Sequence, residues 1–106
     1  MNMAKKRYID SISLQALQHL NLLAHNIREA REARGLSIEQ MAERCFMSKN
    51  TYQAVENGRL ETGMGAYLSV LDYFGLSDSV ADVAAPHKDE EGRRLRMMKR
   101  QPRSSG

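Results

Sequence analysis

The chain has 106 residues, a formal net charge of +3 and a single cysteine. That length fits one domain and leaves few residues for a second core. Cys45 alone cannot make an internal disulfide or a cysteine-rich zinc site. No run approaches the roughly 18 apolar residues of a membrane span, so no membrane partner is expected.

The first nineteen residues admit two readings. Lys5, Lys6 and Arg7 precede no apolar run long enough for a signal peptide, which makes the cytoplasm the expected compartment. Ser13 either caps a helix through Leu14, Leu17 and Leu20, or the segment is a flexible arm. From Leu20 the pattern sharpens. Leu20, Leu23, Ala24, Ile27 and Ala30 recur at helical spacing, and Gly35 follows at the position past a helix end. Ser37 and Gln40 then form a capping box, with Leu36 and Met41 spaced as a hydrophobic staple. Ile38, Met41, Ala42 and Cys45 make the buried stripe of this second, short helix.

Only Phe46 and Met47 separate it from the next cap, Ser48. Thr51, Tyr52 and Val55 are expected to face inward from the third helix, and Asn57-Gly58 ends it. Two short capped helices across so tight a connection are the helix-turn-helix pattern. Thr62 or Gly63 starts a fourth helix with Met64, Tyr67, Leu68, Leu71 and Phe74 on its apolar face. Ser77 is expected to cap a fifth, with Val80, Val83 and Ala84 apolar and Pro86 as its stop.

The expected architecture is all-α: a compact five-helix domain over residues 20–85, an N-terminal extension over 1–19 and a basic tail over 86–106. The tail carries seven Lys/Arg against three Asp/Glu, a net +4, whereas residues 8–85 carry six against ten, a net −4. The tail reads as flexible when free. Its acids at 89–91 and bases at 93–100 suit a helix dipole, so it is able to become helical on a partner.

At about 100° per residue, Lys49, Asn50, Gln53 and Asn57 point away from the buried side of the third helix. This face carries a cation and amides but no acid, inside an acidic body. Side-chain amides pair bidentately with adenine edges, and lysine donates to guanine or phosphate. Amides beside Ser48 at the helix start suit a phosphate. These features point to double-stranded DNA. Arg31 and Glu56 are placed to pair between the first and third helices, since a buried carboxylate requires a partner. His19, His25 and His87 show no metal spacing, and Cys45 reads as a small core residue. Neither a nucleophile elbow nor a phosphate loop is present, so no enzyme and no cofactor are expected.

Ile27-Arg28-Glu29-Ala30-Arg31, Arg34-Gly35-Leu36-Ser37, Met41-Ala42-Glu43-Arg44 and Ser48 through Gly58 together resemble the XRE/phage-repressor family over about residues 20–76. The resemblance implies that Ser48–Asn57 enters the major groove. It implies that Lys49, Asn50 and Gln53 or Ala54 read bases, and that Thr51, Asn57 and Arg59 approach phosphates. It also implies the Arg31–Glu56 pair. Two positions depart from the family. Ile38 stands where Gln usually holds a phosphate, so one backbone contact is either missing or supplied by Ser37 or Gln40. Phe46 stands where the turn usually has Gly, so the turn either bends differently or carries strain.

Arg44 through Ser48, Leu71-Asp72-Tyr73-Phe74-Gly75-Leu76 and a loose tail pattern from Ala85-Pro86 to Pro102-Arg103 are similar to HipB-type antitoxins. That likeness implies an autorepressing dimer that binds a HipA-like serine/threonine kinase toxin. Alternatives are a standalone repressor and a protein-interaction module on the same scaffold. A homodimer is expected on a palindromic operator, because one short helix reads few base pairs. Tyr73, Val80, Val83 and Ala84 are the expected interface.

Overall fold

The computed structural model describes residues 7–100, and their regular structure is entirely helical. The chain divides into two units, Met1–Leu76 and Ser77–Gly106.

In the first unit a short 3-10 helix, Tyr8–Ser11, precedes helix α1, Leu14–Ala33. Ser13 is the N-cap, its Oγ accepting from the Ala16 amide at 3.1 Å. The helical alternative for this segment is therefore the observed one, and α1 runs six residues further toward the N-terminus than the pattern from Leu20 alone marks. Helix α2 is Ile38–Arg44, with both bonds of the Ser37/Gln40 capping box made, at 3.0 and 2.8 Å. Helix α3 is Lys49–Glu56, and α4 is Met64–Tyr73.

All four helices end in the same way. Beyond each C-cap, one residue turns left-handed, and two backbone amides return to the last-turn carbonyls. The left-handed residues are Gly35, Phe46, Gly58 and Gly75, with φ between 55 and 73°. After α2 the pair is Phe46 N–H to the Glu43 carbonyl at 3.2 Å and Met47 N–H to the Ala42 carbonyl at 3.0 Å. So the α2–α3 turn keeps the geometry a glycine would adopt, and Phe46 holds it at φ 55° with its side chain 97% exposed. Left-handed backbone costs an L-residue about 1–2 kcal/mol, and an exposed ring offers no packing in return. Phe46→Gly is therefore expected to raise unfolding stability by about 1 kcal/mol, after allowance for the extra chain entropy of glycine. A thermal melt should then move up by about 4–8 °C; an unchanged or lower midpoint would show that the ring is stabilising the turn.

The core gathers between the four helices from Ile27, Met41, Ala42, Cys45, Tyr52, Val55, Tyr67, Val70 and Phe74. Leu20, Leu23, Ala30, Leu36, Ile38 and Met47 pack on it half-buried. Two stripes differ from the sequence reading. On α3 the inward residues are Tyr52, Val55 and Glu56, while Thr51 is exposed. Thr51 lies one step round the helix from that stripe, and Ser48 Oγ engages both its amide and its hydroxyl, at 3.0 and 2.9 Å. On α4 the buried line is Tyr67, Val70 and Phe74; Met64 and Leu68 are exposed. Apolar residues occur around most of α4, so periodicity there does not single out one line.

The second unit departs most from expectation. Where a fifth α-helix with Val80, Val83 and Ala84 was expected, a 3-10 helix spans Ser77–Asp82. Val83 and Ala84 lie beyond it, and Ala84 has φ 57°, which a helix interior does not allow. The segment buries no residue, so nothing rewards the longer α-helix. A second 3-10 turn, Pro86–Lys88, leads to helix α5, Glu90–Arg100, in the tail. Asp89 caps α5 by accepting from the Gly92 amide at 3.0 Å. Pro102 and Arg103 of the tail pattern, like Lys5 and Lys6, lie outside the described residues.

Candidate nucleic-acid interface

One side of α3 is fixed to the core, and that fixes which side is presented. Tyr52 and Val55 are fully buried, and Glu56 is 6% exposed. Glu56 is bound from several directions. Arg31 on α1 grips it with two prongs, Nε to Oε2 at 2.6 Å and Nη2 to Oε1 at 3.1 Å. The Tyr52 hydroxyl donates to the same carboxylate. Arg28, one turn earlier on α1, brings Nε to 3.4 Å. Arg31 also donates from Nη1 to the Leu36 carbonyl at 2.9 Å, which ties the α1–α2 connection into the cluster. Burial pushes the Glu56 carboxyl up, but the Arg31 and Tyr52 hydrogen bonds and the two arginine charges outweigh it and hold it below the ordinary value. Burial, with the bond to Glu56, pushes the Tyr52 phenol up, so it stays a protonated donor.

With α3 so held, Lys49, Asn50, Thr51 and Asn57 are exposed and Gln53 is half-buried. Asn50, Gln53, Ala54, Asn57 and Arg59 line a shallow depression of about 340 Å³. Asn50 and Arg59 also border a neighbouring one with Thr51 and Thr62. The fold thus brings most of the sequence-derived contact residues to one surface. Ser48 is exposed, and its Oγ is occupied in capping. Ser37 Oγ and Gln40 Oε1 are likewise committed to the α2 capping box, leaving the Gln40 side-chain N–H groups as donors. Ile38 packs half-buried on the core rather than facing outward as a donor would.

Several features have no simple trace in the sequence. Glu39 on α2 reaches across to Lys49, with Nζ to Oε1 at 2.9 Å. The hydrogen bond from Lys49 is the main cause holding the Glu39 carboxyl below its ordinary value. The exposed Lys49 charge is thus already partnered before any ligand arrives. Ten residues separate the two in sequence, so only the docking of α2 on α3 reveals the pair. Arg34 bonds the Phe74 carbonyl at 3.3 Å, with its guanidinium 4.6 Å from the Phe74 ring centroid. Arg44 bonds the Tyr73 hydroxyl. Both fasten α4 to the rest of the unit.

Of the expected interface residues, Tyr73 and Val83 are exposed and Val80 is half-buried. Burial raises the pKa of Cys45, as it would for a core thiol. Among the described residues no three His, Cys, Asp or Glu side chains gather as metal ligands, and no helix is long and apolar enough to cross a membrane.

Residues 22–84 match the family described as "Helix-turn-helix domain". The chain belongs to that family. The helix-turn-helix consists of α2, the Phe46-Met47 turn and α3, a module that presents its second helix to the DNA major groove. No curated protein matches the chain, and neither does any solved structure. The match supports the coarser part of the XRE-type resemblance.

Proposed function

We infer that this helix-turn-helix protein is a cytoplasmic, sequence-specific transcriptional repressor that reads an operator through the outward side of α3. The observation that supports it best is the contrast between the two sides of one short helix. One side is locked by Tyr52, Val55 and Glu56, and the other offers Asn50 and Gln53 on a continuous surface with Asn57 and Arg59, with Lys49 exposed at the start of the helix. In this reading Lys49, Asn50 and Gln53 meet base edges, while Ser48, Thr51, Asn57, Arg59 and the Ser37/Gln40 end of α2 meet phosphates.

The test is operator binding by the DNA upstream of the chain's own gene. Lys49→Ala and Asn50→Ala are each expected to weaken it by about 1–3 kcal/mol while leaving thermal stability unchanged. Unchanged affinity in both variants would remove α3 as the reading helix.

The reading includes a homodimer on a palindromic site, with Tyr73, Val80, Val83 and Ala84 at the contact. Exposure of Tyr73 and Val83 agrees with it. Sedimentation showing only monomer at micromolar concentration would reject it. The more specific form is an antitoxin that represses its own operon and binds a HipA-like kinase. It rests on the likeness of Arg44–Ser48, Leu71–Leu76 and the tail pattern, and co-purification with a kinase encoded next door tests it. A standalone repressor is the outcome where no such gene exists.

A further inference from the structure

A DNA-binding surface with few uncommitted cations needs positive charge from elsewhere. Duplex DNA presents one phosphate charge per about 1.7 Å of axis, and most sequence-independent affinity comes from cations set against them. Residues 8–85 carry six basic against ten acidic residues. Among the cations of the helix-turn-helix unit, Lys49 is held by Glu39, and Arg28 and Arg31 are held by Glu56. By itself this region would meet a phosphate backbone with net repulsion.

Helix α5 carries the opposite charge in ordered form. Arg93, Arg96, Lys99 and Arg100 fall within an arc of about 120° at helical spacing. Glu90 and Glu91 lie in the first turn, outside that arc, where they also complement the helix dipole. Arg93 is paired with Glu90 at 3.1 Å, whereas Arg96, Lys99 and Arg100 make no ion pair among the described residues. No residue of α5 is buried, so packing does not consume this face. From Arg93 to Arg100 the arc is about 10 Å long, a length over which duplex DNA presents about six phosphates.

We propose that the cationic face of α5, formed by Arg96, Lys99 and Arg100 with Arg93 at its edge, binds the phosphate backbone of duplex DNA and supplies the sequence-independent part of operator affinity. This rests on the operator-binding reading above and adds a second contact surface to it. Leu95, Met97 and Met98 fall mostly outside the arc and do not take part.

The experiment uses the full chain and a triple variant, Arg96→Gln, Lys99→Gln and Arg100→Gln. Glutamine keeps helix propensity near that of the residues replaced, and circular dichroism checks that helix content is retained. Binding is measured against salt on the duplex upstream of the chain's own gene and on a mixed-sequence duplex of equal length. The log-affinity against log-salt slope is expected to flatten by about 0.9 for each lost contact, near 2.7 for the triple variant, on both duplexes. A companion Lys99→Arg variant should keep the full slope. If the unaltered chain binds both duplexes and the triple variant binds with the same slope, α5 makes no phosphate contact and the proposal falls while the α3 reading stands. If the unaltered chain binds neither duplex, both fall. An unchanged DNA slope together with lost binding to vesicles rich in anionic lipid, or to a co-purifying kinase, would assign the face to that partner and overturn the proposal.

Discussion

Arg31→Met is expected to lower unfolding stability by roughly 3–5 kcal/mol, measured by denaturant titration at neutral pH. The substitution keeps most of the side-chain volume and removes both prongs of a grip made at 2.6 and 3.1 Å on a carboxylate that is only 6% exposed. Arg28 and the Tyr52 hydroxyl remain on Glu56, which favours the lower end of that range. Typical domains are stable by only about 5–15 kcal/mol, so such a loss takes a large share of the total.

The acid dependence should weaken with the same substitution. In the unaltered protein Glu56 titrates below its ordinary 4.5 when folded. Its contribution is then present above that value and lost as pH falls through the lower folded pKa. Without Arg31, burial is opposed only by the Tyr52 hydrogen bond and the Arg28 charge, so the folded pKa rises. The stability that Glu56 contributes above 4.5, and loses as pH falls, is then smaller. A loss under about 1 kcal/mol, with an unaltered acid profile, would mean the pair behaves like an exposed surface bridge.

Tyr52→Ala should be comparably damaging, at roughly 3–5 kcal/mol, because it empties the fully buried ring position that seats α3 on the core. Tyr52→Phe keeps the ring and removes only the hydroxyl that donates to Glu56, so about 1.5–3 kcal/mol is expected. The difference between the two variants separates packing from hydrogen bonding. A Tyr52→Phe protein as stable as the parent would show that Arg31 and Arg28 satisfy the carboxylate without the hydroxyl. DNA affinity should fall with Tyr52→Ala only to the extent that the fold is lost, since Tyr52 offers no surface to a ligand.

Much of the first unit is legible in the sequence because local chemistry fixes it. Ser37 with Gln40, Ser48, Gly35 and Gly58 each mark a helix end through bonds closed within a few residues. Where local rules and packing agree, as in α2, element and buried stripe are both read correctly. Phe46 shows the complementary case. The residue argues against a left-handed turn, yet the two cap bonds and the short link between α2 and α3 impose it.

The sequence by itself determines an all-helical chain, the caps, the helix-turn-helix spacing and a polar outward face on α3, because these depend on periodicity and on contacts within one turn. Only the tertiary structure decides which line of an apolar helix is buried, as with Val70 rather than Leu68 on α4. It alone shows that Glu39 holds Lys49, that Arg28 and Tyr52 join Arg31 on Glu56, and that the segment after Ser77 stops at a 3-10 helix. Each of these follows from what packs opposite a residue many positions away, or from nothing packing there at all. A single strand of text carries no direct record of such neighbours, since burial and charge pairing are set when helices dock.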